Sequence, residues 1–206
     1  MQRAEQSGCF GSSGRPLPYK ISVRWFEYGC WLASSLAIGW VIVLILGTRL
    51  FQVSQAKQLE NPRLTQDVTR KLHVGDTFGM VSIPRIGLSA VVVEGEDDAT
   101  LRHAVGHIPG TSDATDSGNV GLAGHRDTFF RGLAQLQPKD VIVLDRAGER
   151  YRYEVVVTTI VQPRQVEVLR SSGQPKLTLI TCFPFHYIGS APKRFVVEAT
   201  RIPVRR

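Results

Sequence analysis

The sequence predicts a mainly β domain, either a closed barrel or a sandwich, preceded by one membrane-spanning helix. From Val74 onward, short runs rich in β-branched and aromatic residues alternate with turns that contain Gly and Pro. Only two short stretches of this region have helical character. Before it, the chain carries no charged residue from Tyr28 to Thr48, a length that spans a bilayer as a helix. Many short strands with few helices are typical of barrels and sandwiches.

The apolar segment 28–48 is predicted to be a single-pass anchor. Trp25 and Trp31 lie at its N-terminal end, where aromatic rings favour the membrane interface. Lys20 and Arg24 precede it closely, which predicts a cytoplasmic N-terminus and a C-terminal domain outside the cytoplasm. A cleaved signal peptide fits less well, because the apolar stretch starts late and lacks a convincing small-residue cleavage site. The expected location is therefore the plasma (inner) membrane.

The anchor divides the chain into four predicted parts. Residues 1–27 form a cytoplasmic tail, 28–48 the anchor, 49–73 a juxtamembrane stalk and 74–206 the β domain. The stalk is polar with spaced Leu and Val, so the helix is expected to continue to Asn61, where Asn61-Pro62 interrupts it.

Within the β domain, runs of β-forming residues and the turns between them predict the individual elements. The strands are expected at 77–83, 88–95, 119–125, 140–145, 149–161, 176–182 and 194–200, and short helices at 97–104 and 128–135. In the long strand, YRYEV alternates polar and apolar residues, as a half-buried strand does.

Composition excludes one class of function. The formal net charge is +7, but the Lys and Arg are scattered and no motif for nucleic-acid binding accompanies them. We therefore expect no nucleic-acid partner.

Cys182 requires an explanation because it is the one cysteine of the predicted external domain. The chain has three cysteines, and the other two are Cys9 and Cys30, on the cytoplasmic side and at the membrane boundary of the predicted topology. Cys182 then has no disulfide partner in its own compartment. The residue by itself leaves three alternatives open, namely a buried filler, a metal ligand or a nucleophile.

Two other residues carry chemistry that would suit a nucleophilic thiol. His125 ends a predicted strand of small residues, and Arg194 opens the last predicted strand. An imidazole next to a thiol favours the thiolate and can protonate a leaving amine. An Arg supplies fixed positive charge and paired donors for a substrate carbonyl or oxyanion. Together these residue types suffice for acyl transfer from a peptide bond, although their spacing alone does not prove it.

The stretches GNVGLAGHRDTFF and LTLITCFPFHYIGSAPKRFVV resemble the two signature regions of sortases, the membrane-anchored cysteine transpeptidases. TLITC, Thr178 to Cys182, fits the TLxTC motif, His125 fits the family histidine and Arg194 the arginine. IPRIGL at 83–88 and GHIPGT at 106–111 match as well. The resemblance runs from about residue 75 to 202, and HRDTFF with IGSAPKRFVV looks most like class D.

The resemblance implies a closed β-barrel of about eight strands with short helices, and a catalytic set of Cys182, His125 and Arg194. It implies that Cys182 cleaves an LPxT-type sorting signal after Thr and forms a thioacyl enzyme. An amine of the cell envelope, from a peptidoglycan precursor or stem peptide, would then resolve that intermediate. Thr181 would help polarise the scissile carbonyl, and the loop 162–174 would select the substrate. No cofactor is implied.

Several neighbouring residues have simpler interpretations. His186 is expected to be a loop residue, His107 a packing residue and Arg126 a surface or structural residue. Asp127 is expected in a local turn or in an ion pair with Arg126. Zinc bound by His125, Cys182 and His186 lacks the usual close Cys/His pairs, and the acidic run at 95–100 suits a helix start better than a calcium site, so we assign no metal.

Two rival functions remain open from the sequence. A thiol endopeptidase would resolve the same thioacyl intermediate with water. A non-catalytic module would merely hold an extended peptide with Arg194, and its peptide binding would persist in the Cys182→Ala variant.

Overall fold

The computed structural model describes residues 19–59, 72–187 and 189–203, and the chain divides into two compact units between Leu46 and Gly47. Helix α1 runs from Tyr19 to Leu59. Within it, Trp25–Gly47 is long and apolar enough to cross a membrane, judged by length and composition, and its side chains are exposed. The predicted anchor 28–48 overlaps this stretch over residues 28–47, and its role as an anchor stays a prediction. The predicted break at Asn61 and most of the tail 1–27 lie outside the described residues.

Eight strands form a closed barrel, in the order β1-β2-β3-β4-β7-β8-β6-β5. The strands are β1 (Thr77–Ile83), β2 (Leu88–Glu94), β3 (Val105–His107), β4 (Asn119–Ala123), β5 (Val141–Arg146), β6 (Glu149–Val161), β7 (Lys176–Phe183) and β8 (Lys193–Arg201). Pairing of β5 with β1 closes the barrel, which excludes the sandwich. The pairs β2–β3 and β4–β7 are parallel, and the other neighbours are antiparallel.

Short helices occupy the connections. Helix α2 (Asp98–His103) begins at Asp97, whose carboxylate accepts hydrogen bonds from the backbone N–H groups of Ala99 and Thr100. The acidic run at 95–100 therefore caps a helix, as expected. Three 3₁₀ helices span Pro84–Ile86, Arg131–Gln135 and Val166–Leu169.

All seven predicted strands are confirmed to within a residue or two, but β3 was missed. β3 has only three residues and is buried throughout, so it shows neither the length nor the alternation that identifies a strand. The predicted helix at 128–135 was partly wrong. Residues 126–130 form turns, and only Arg131–Gln135 is helical, as a 3₁₀ helix.

Apolar side chains from all eight strands fill the barrel interior. On β6, Tyr151, Tyr153 and Val155 are buried, while Arg152 and Glu154 between them are exposed. This confirms the alternation read from YRYEV. The largest fully buried side chains include Phe78, Phe130, Leu122, Leu177 and Leu179. Removal of this apolar surface from water is the main stabilising contribution to the barrel.

A polar network lies among these apolar groups. The Arg146 guanidinium donates to both carboxylate oxygens of Asp113, at 2.7 to 3.2 Å, and to the carbonyl of Phe78 at 3.1 Å. It also stacks 4.5 Å from the centre of the Phe78 ring, and the His107 ring stacks on Phe78 at 4.1 Å. Nδ1 of His107 lies 2.6 Å from Oε2 of Glu94. The packing role expected of His107 is confirmed.

Asp113 supplies a pH-dependent part of the stability. Burial alone would raise the pKa of this carboxyl group, but hydrogen bonds and charge from Arg146 outweigh burial and lower the pKa below its ordinary value of 3.8. The folded state therefore binds the proton less readily than the unfolded chain does. The stabilisation is complete well above pH 3.8 and is lost as the pH falls through the lower folded-state pKa.

We predict that Asp113→Asn lowers the free energy of unfolding at pH 7 by about 1–3 kcal/mol, because the Arg146 guanidinium loses its charged acceptor. Urea unfolding between pH 7 and pH 3, followed by circular dichroism, measures this. The difference between wild type and variant should shrink below pH 3.8. A difference that is unchanged at the lowest pH would contradict the linkage to Asp113.

Candidate active site

Cys182 and Arg194 face each other across two hydrogen-bonded strands. Cys182 is the penultimate residue of β7, Arg194 is the second residue of β8, and the two are direct partners in the antiparallel register. Side chains of directly opposed residues lie on the same face of a sheet. β7 ends at Phe183, just before Pro184, which confirms that the thiol lies at the end of its strand. Cys182 is only partly buried, so it is not a core filler.

His125 reaches the same edge of the barrel because β4 runs parallel to β7. Ala123, the last residue of β4, pairs with Ile180. The N–H of Gly124 then donates to the carbonyl of Ile180 at 3.2 Å. His125 follows directly, beside the strand end that carries Cys182. His125, Thr181, Cys182 and Arg194 all line one cavity of about 610 Å³, which we call the Cys182 cavity.

The small residues before His125 allow other side chains of the protein to pack directly against the backbone of this segment. A Cβ atom at Gly124 would lie 2.8 Å from the ring of Phe130, and one at Gly121 would lie 2.9 Å from Leu169 and from Thr111. These distances are too short for ordinary contact. The glycines of GLAGH therefore leave room for core and loop side chains next to the site.

Thr181 is buried, and its hydroxyl group donates to the carbonyl of Gly124 at 2.7 Å. This bond joins the residue before Cys182 to the residue before His125, so it fixes the two strand ends relative to each other. The same hydrogen atom cannot also be directed at a substrate carbonyl. The polarising role suggested by the sequence stays a prediction, and it requires the bond to Gly124 to break.

Arg194 is held close to its own loop. Its Nη1 donates to the carbonyls of Ala191 and Lys193 at 3.3 and 3.1 Å. Within the described residues, Nε and Nη2 donate to no protein group, so these N–H groups remain for a ligand. A guanidinium at the rim of the cavity can present them as a fork to a carbonyl oxygen or an oxyanion.

The loop 162–174 forms a wall of the Cys182 cavity through residues such as Gln162, Pro163 and Leu169. Two buried polar side chains beneath it hold it in place. Nδ2 of Asn119 donates to the carbonyls of Val168 and Arg170 at 2.9 and 3.4 Å. The hydroxyl group of Thr178 donates to Oδ1 of Asn119 at 2.8 Å. The sequence offered no signal for this role of Asn119 beyond a polar residue in an apolar strand.

Arg126 joins the His125 segment to the loop after Cys182. Nη1 donates to the carbonyl of Pro184 at 2.9 Å, and Nη2 donates to those of Tyr187 and Gly189 at 2.7 and 3.2 Å. The guanidinium also lies 5.8 Å from the centre of the Tyr187 ring. The structural interpretation of Arg126 is thus confirmed. No ion pair with Asp127 occurs among the described residues, and Asp127 lies in the local turn.

The remaining histidines lie apart from the Cys182 cavity. His107 is buried in the network with Glu94, and His186 is an exposed residue of the loop after β7. His103 is exposed at the end of α2. In the part of the chain that the structure describes, no group of three or more His, Cys, Asp or Glu residues is arranged to hold a metal ion.

Comparison with known proteins finds relatives in sequence and in fold. The Sortase domain family matches residues 81–202. Sortase D of Bacillus subtilis is 34% identical over 133 residues, covering 64% of this chain and 67% of that protein. Sortase A of Bacillus anthracis is 27% identical over 146 residues, covering 69% and 68%. The solved structure of a Clostridium perfringens Sortase D5 transpeptidase superimposes with a TM-score of 0.66 at 22% identity, covering 75% of this chain and 98% of that one.

We predict that Thr178→Val loosens the 3₁₀ helix Val166–Leu169, because Asn119 loses the donor that orients its amide. Hydrogen exchange of the Val166 and Arg170 amides, which are bonded within this loop, should accelerate by at least about threefold, as expected for one lost buried hydrogen bond. Mass spectrometry of exchanged peptides measures this. Thr158→Val on β6 is the matched control. Equal acceleration in both variants would contradict the anchoring role.

We predict that Arg126→Ala frees the loop after Cys182, because three carbonyl groups lose a charged donor. Chymotrypsin cleavage after the exposed Tyr187 should accelerate by at least about tenfold, since each hydrogen bond to a charged group contributes about 1.5–3 kcal/mol. Arg131→Ala, an exposed arginine of the adjoining 3₁₀ helix, is the control. Identical cleavage rates in wild type and Arg126→Ala would show that the bonds do not restrain the loop.

Proposed function

Because this chain belongs to the sortase family, whose members are cysteine transpeptidases, we propose that it cleaves an LPxT-type sorting signal after Thr and joins the new carboxyl end to an amine of the cell envelope. The observation that carries the proposal is the meeting of Cys182, His125 and Arg194 at one cavity. The 34% identity to Sortase D supports a class D-like enzyme.

In the first half-reaction, Sγ of Cys182 passes its proton to His125 and attacks the carbonyl carbon of the signal's Thr. The C–S bond forms, the C–N bond breaks and the leaving amine takes a proton from His125. The products are a thioacyl enzyme and the free C-terminal segment. Negative charge develops on the carbonyl oxygen during this step, and the open N–H groups of Arg194 are the donors that would stabilise it.

In the second half-reaction, the neutral amine of the acceptor attacks the thioester carbonyl carbon. The new C–N bond forms as the C–S bond breaks. His125 accepts the surplus proton of the amine and passes it to the released thiolate of Cys182, which restores the thiol. Thr181 contributes by holding Gly124 and therefore the His125 segment. Its hydroxyl group would polarise the substrate carbonyl only after it has released the carbonyl of Gly124.

The Cys182 cavity is the proposed binding site for the sorting signal. Its walls combine apolar side chains of Ile108, Ile180 and Val166 with the polar side chains of His125, Thr181 and Arg194. Pockets with apolar walls and a few placed polar groups are typical of ligand sites. The loop 162–174, held by Asn119, would determine which signal fits.

The helix Trp25–Gly47 is the proposed membrane anchor. With basic residues on its N-terminal side, the N-terminus would lie in the cytoplasm and the barrel outside. This placement brings the catalytic domain to the same compartment as an acceptor from peptidoglycan.

We predict that the full-length chain in detergent cleaves an LPxTG or LPxTA peptide after Thr and transfers it to an added amine. Mass spectrometry should detect a thioacyl adduct on Cys182 and the amine-linked product. Cys182→Ala should abolish both. His125→Ala should lower kcat by about 10²–10⁴-fold and Arg194→Ala by about 10²–10³-fold, through loss of proton transfer and of oxyanion stabilisation.

Cys30→Ala and His73→Ala are matched controls, since both residues are exposed and neither lines the cavity. Acid product alone, whichever amine is supplied, would indicate an endopeptidase. Peptide binding without cleavage that survives Cys182→Ala would indicate a binding module. Cleavage by Cys182→Ala would overturn the mechanism.

A further inference from the structure

A second recess is lined by residues that follow two residues of the Cys182 cavity in the chain, Arg102 after Leu101 and Arg126 after His125. It has a volume of about 1070 Å³ and is bounded by residues 86–89, Arg102, 126–129, 131–132, 134–135 and the pair Phe185–His186. We call it the arginine cleft. Its base is apolar, because Ile86, Phe129 and Phe185 are partly buried and pack against the barrel core.

Consecutive residues of the chain line the two recesses. Gly124 and His125 line the Cys182 cavity, whereas the next residue, Arg126, lines the arginine cleft. Likewise Cys182 lines the first recess and Phe185 the second. The bonds from Arg126 to the carbonyls of Pro184 and Tyr187 tie the two segments together. A group bound in the arginine cleft would thus contact the residue that follows His125 in the chain.

The arginine cleft is cationic. Three arginines, Arg102, Arg126 and Arg131, line it against one carboxylate, that of Asp127. Arg126 donates to three carbonyl groups, whereas Arg102 donates to one. Arg102 uses only Nε, on the carbonyl of Asp98 at 3.1 Å. Arg131 is exposed, and its side chain has no partner in the described part of the chain. Two guanidinium groups therefore remain for carboxylates of a ligand.

We propose that the arginine cleft binds the amine acceptor and selects one whose amine is carried on a peptide with free carboxylates. This inference rests on the proposed function, because only a two-substrate reaction needs a second site. The acceptor's amine would reach the thioester on Cys182 and its carboxylates would contact Arg102 and Arg131. The bond changes are those of the second half-reaction, with the amine's surplus proton passing to His125.

The test uses two matched peptides, N-acetyl-Ala-Glu-Lys with free carboxylates and N-acetyl-Ala-Gln-Lys-amide. Both carry the same side-chain amine. Their binding to full-length Cys182→Ala in detergent is measured by titration calorimetry, and their use by the wild type is measured as amide product. The carboxylate peptide should bind and react about tenfold better. Arg102→Gln and Arg131→Gln should each reduce this preference about three- to fivefold, as expected for exposed ion pairs.

Arg152→Gln, an exposed arginine on β6 outside both recesses, is the matched control and should keep the preference. Equal binding of the two peptides would overturn the proposal. A higher KM for the sorting-signal peptide in Arg131→Gln, with unchanged acceptor use, would overturn it too, since the cleft would then hold the first substrate. If the wild type cleaves no sorting signal, the proposed function fails, while the calorimetry with Cys182→Ala still decides whether the cleft prefers carboxylates.

Discussion

The site depends on one backbone arrangement, the adjacency of β4, β7 and β8 in the barrel. β4 lies parallel to β7, so the residues that follow both strands emerge at one edge. β8 returns antiparallel to β7, so its first residues lie at that same edge. His125, Cys182 and Arg194 therefore meet although they come from three separate parts of the chain. A slip of one residue between β7 and β8 would turn one of the two side chains to the opposite face.

Side chains that donate to backbone carbonyls hold the loops around this edge. Thr181 binds Gly124, Asn119 binds Val168, Arg126 binds Pro184, and Arg194 binds Ala191. Carbonyl groups in loops have no hydrogen-bond partner on a neighbouring strand. When such a carbonyl group is buried, it needs another donor. The same bonds that satisfy these groups also fix the walls of both recesses. One set of hydrogen bonds thus stabilises the loops and determines the shape of the site.

The two recesses differ in the ligands that they suit. The Cys182 cavity has mostly apolar walls around the thiol and imidazole, whereas the arginine cleft has an apolar base and a cationic rim. An extended peptide with a few polar anchors suits the first, and a carboxylate-bearing chain suits the second. If each recess binds one substrate, acylation and resolution of the enzyme would use different binding sites and the same sulfur atom.

The sequence by itself determined the seven longer strands, the apolar helix, and the motif residues His125, Cys182 and Arg194. Each of these has a local signal: β-branched runs, an uncharged stretch, or reactive residues at strand ends. The tertiary structure alone decided the rest. β3 is too short to show a pattern. Asn119 and Arg126 find their partners 49 and 58 residues away. The cleft is assembled from four separate segments. Such contacts depend on how the barrel closes, and no window of sequence contains both partners.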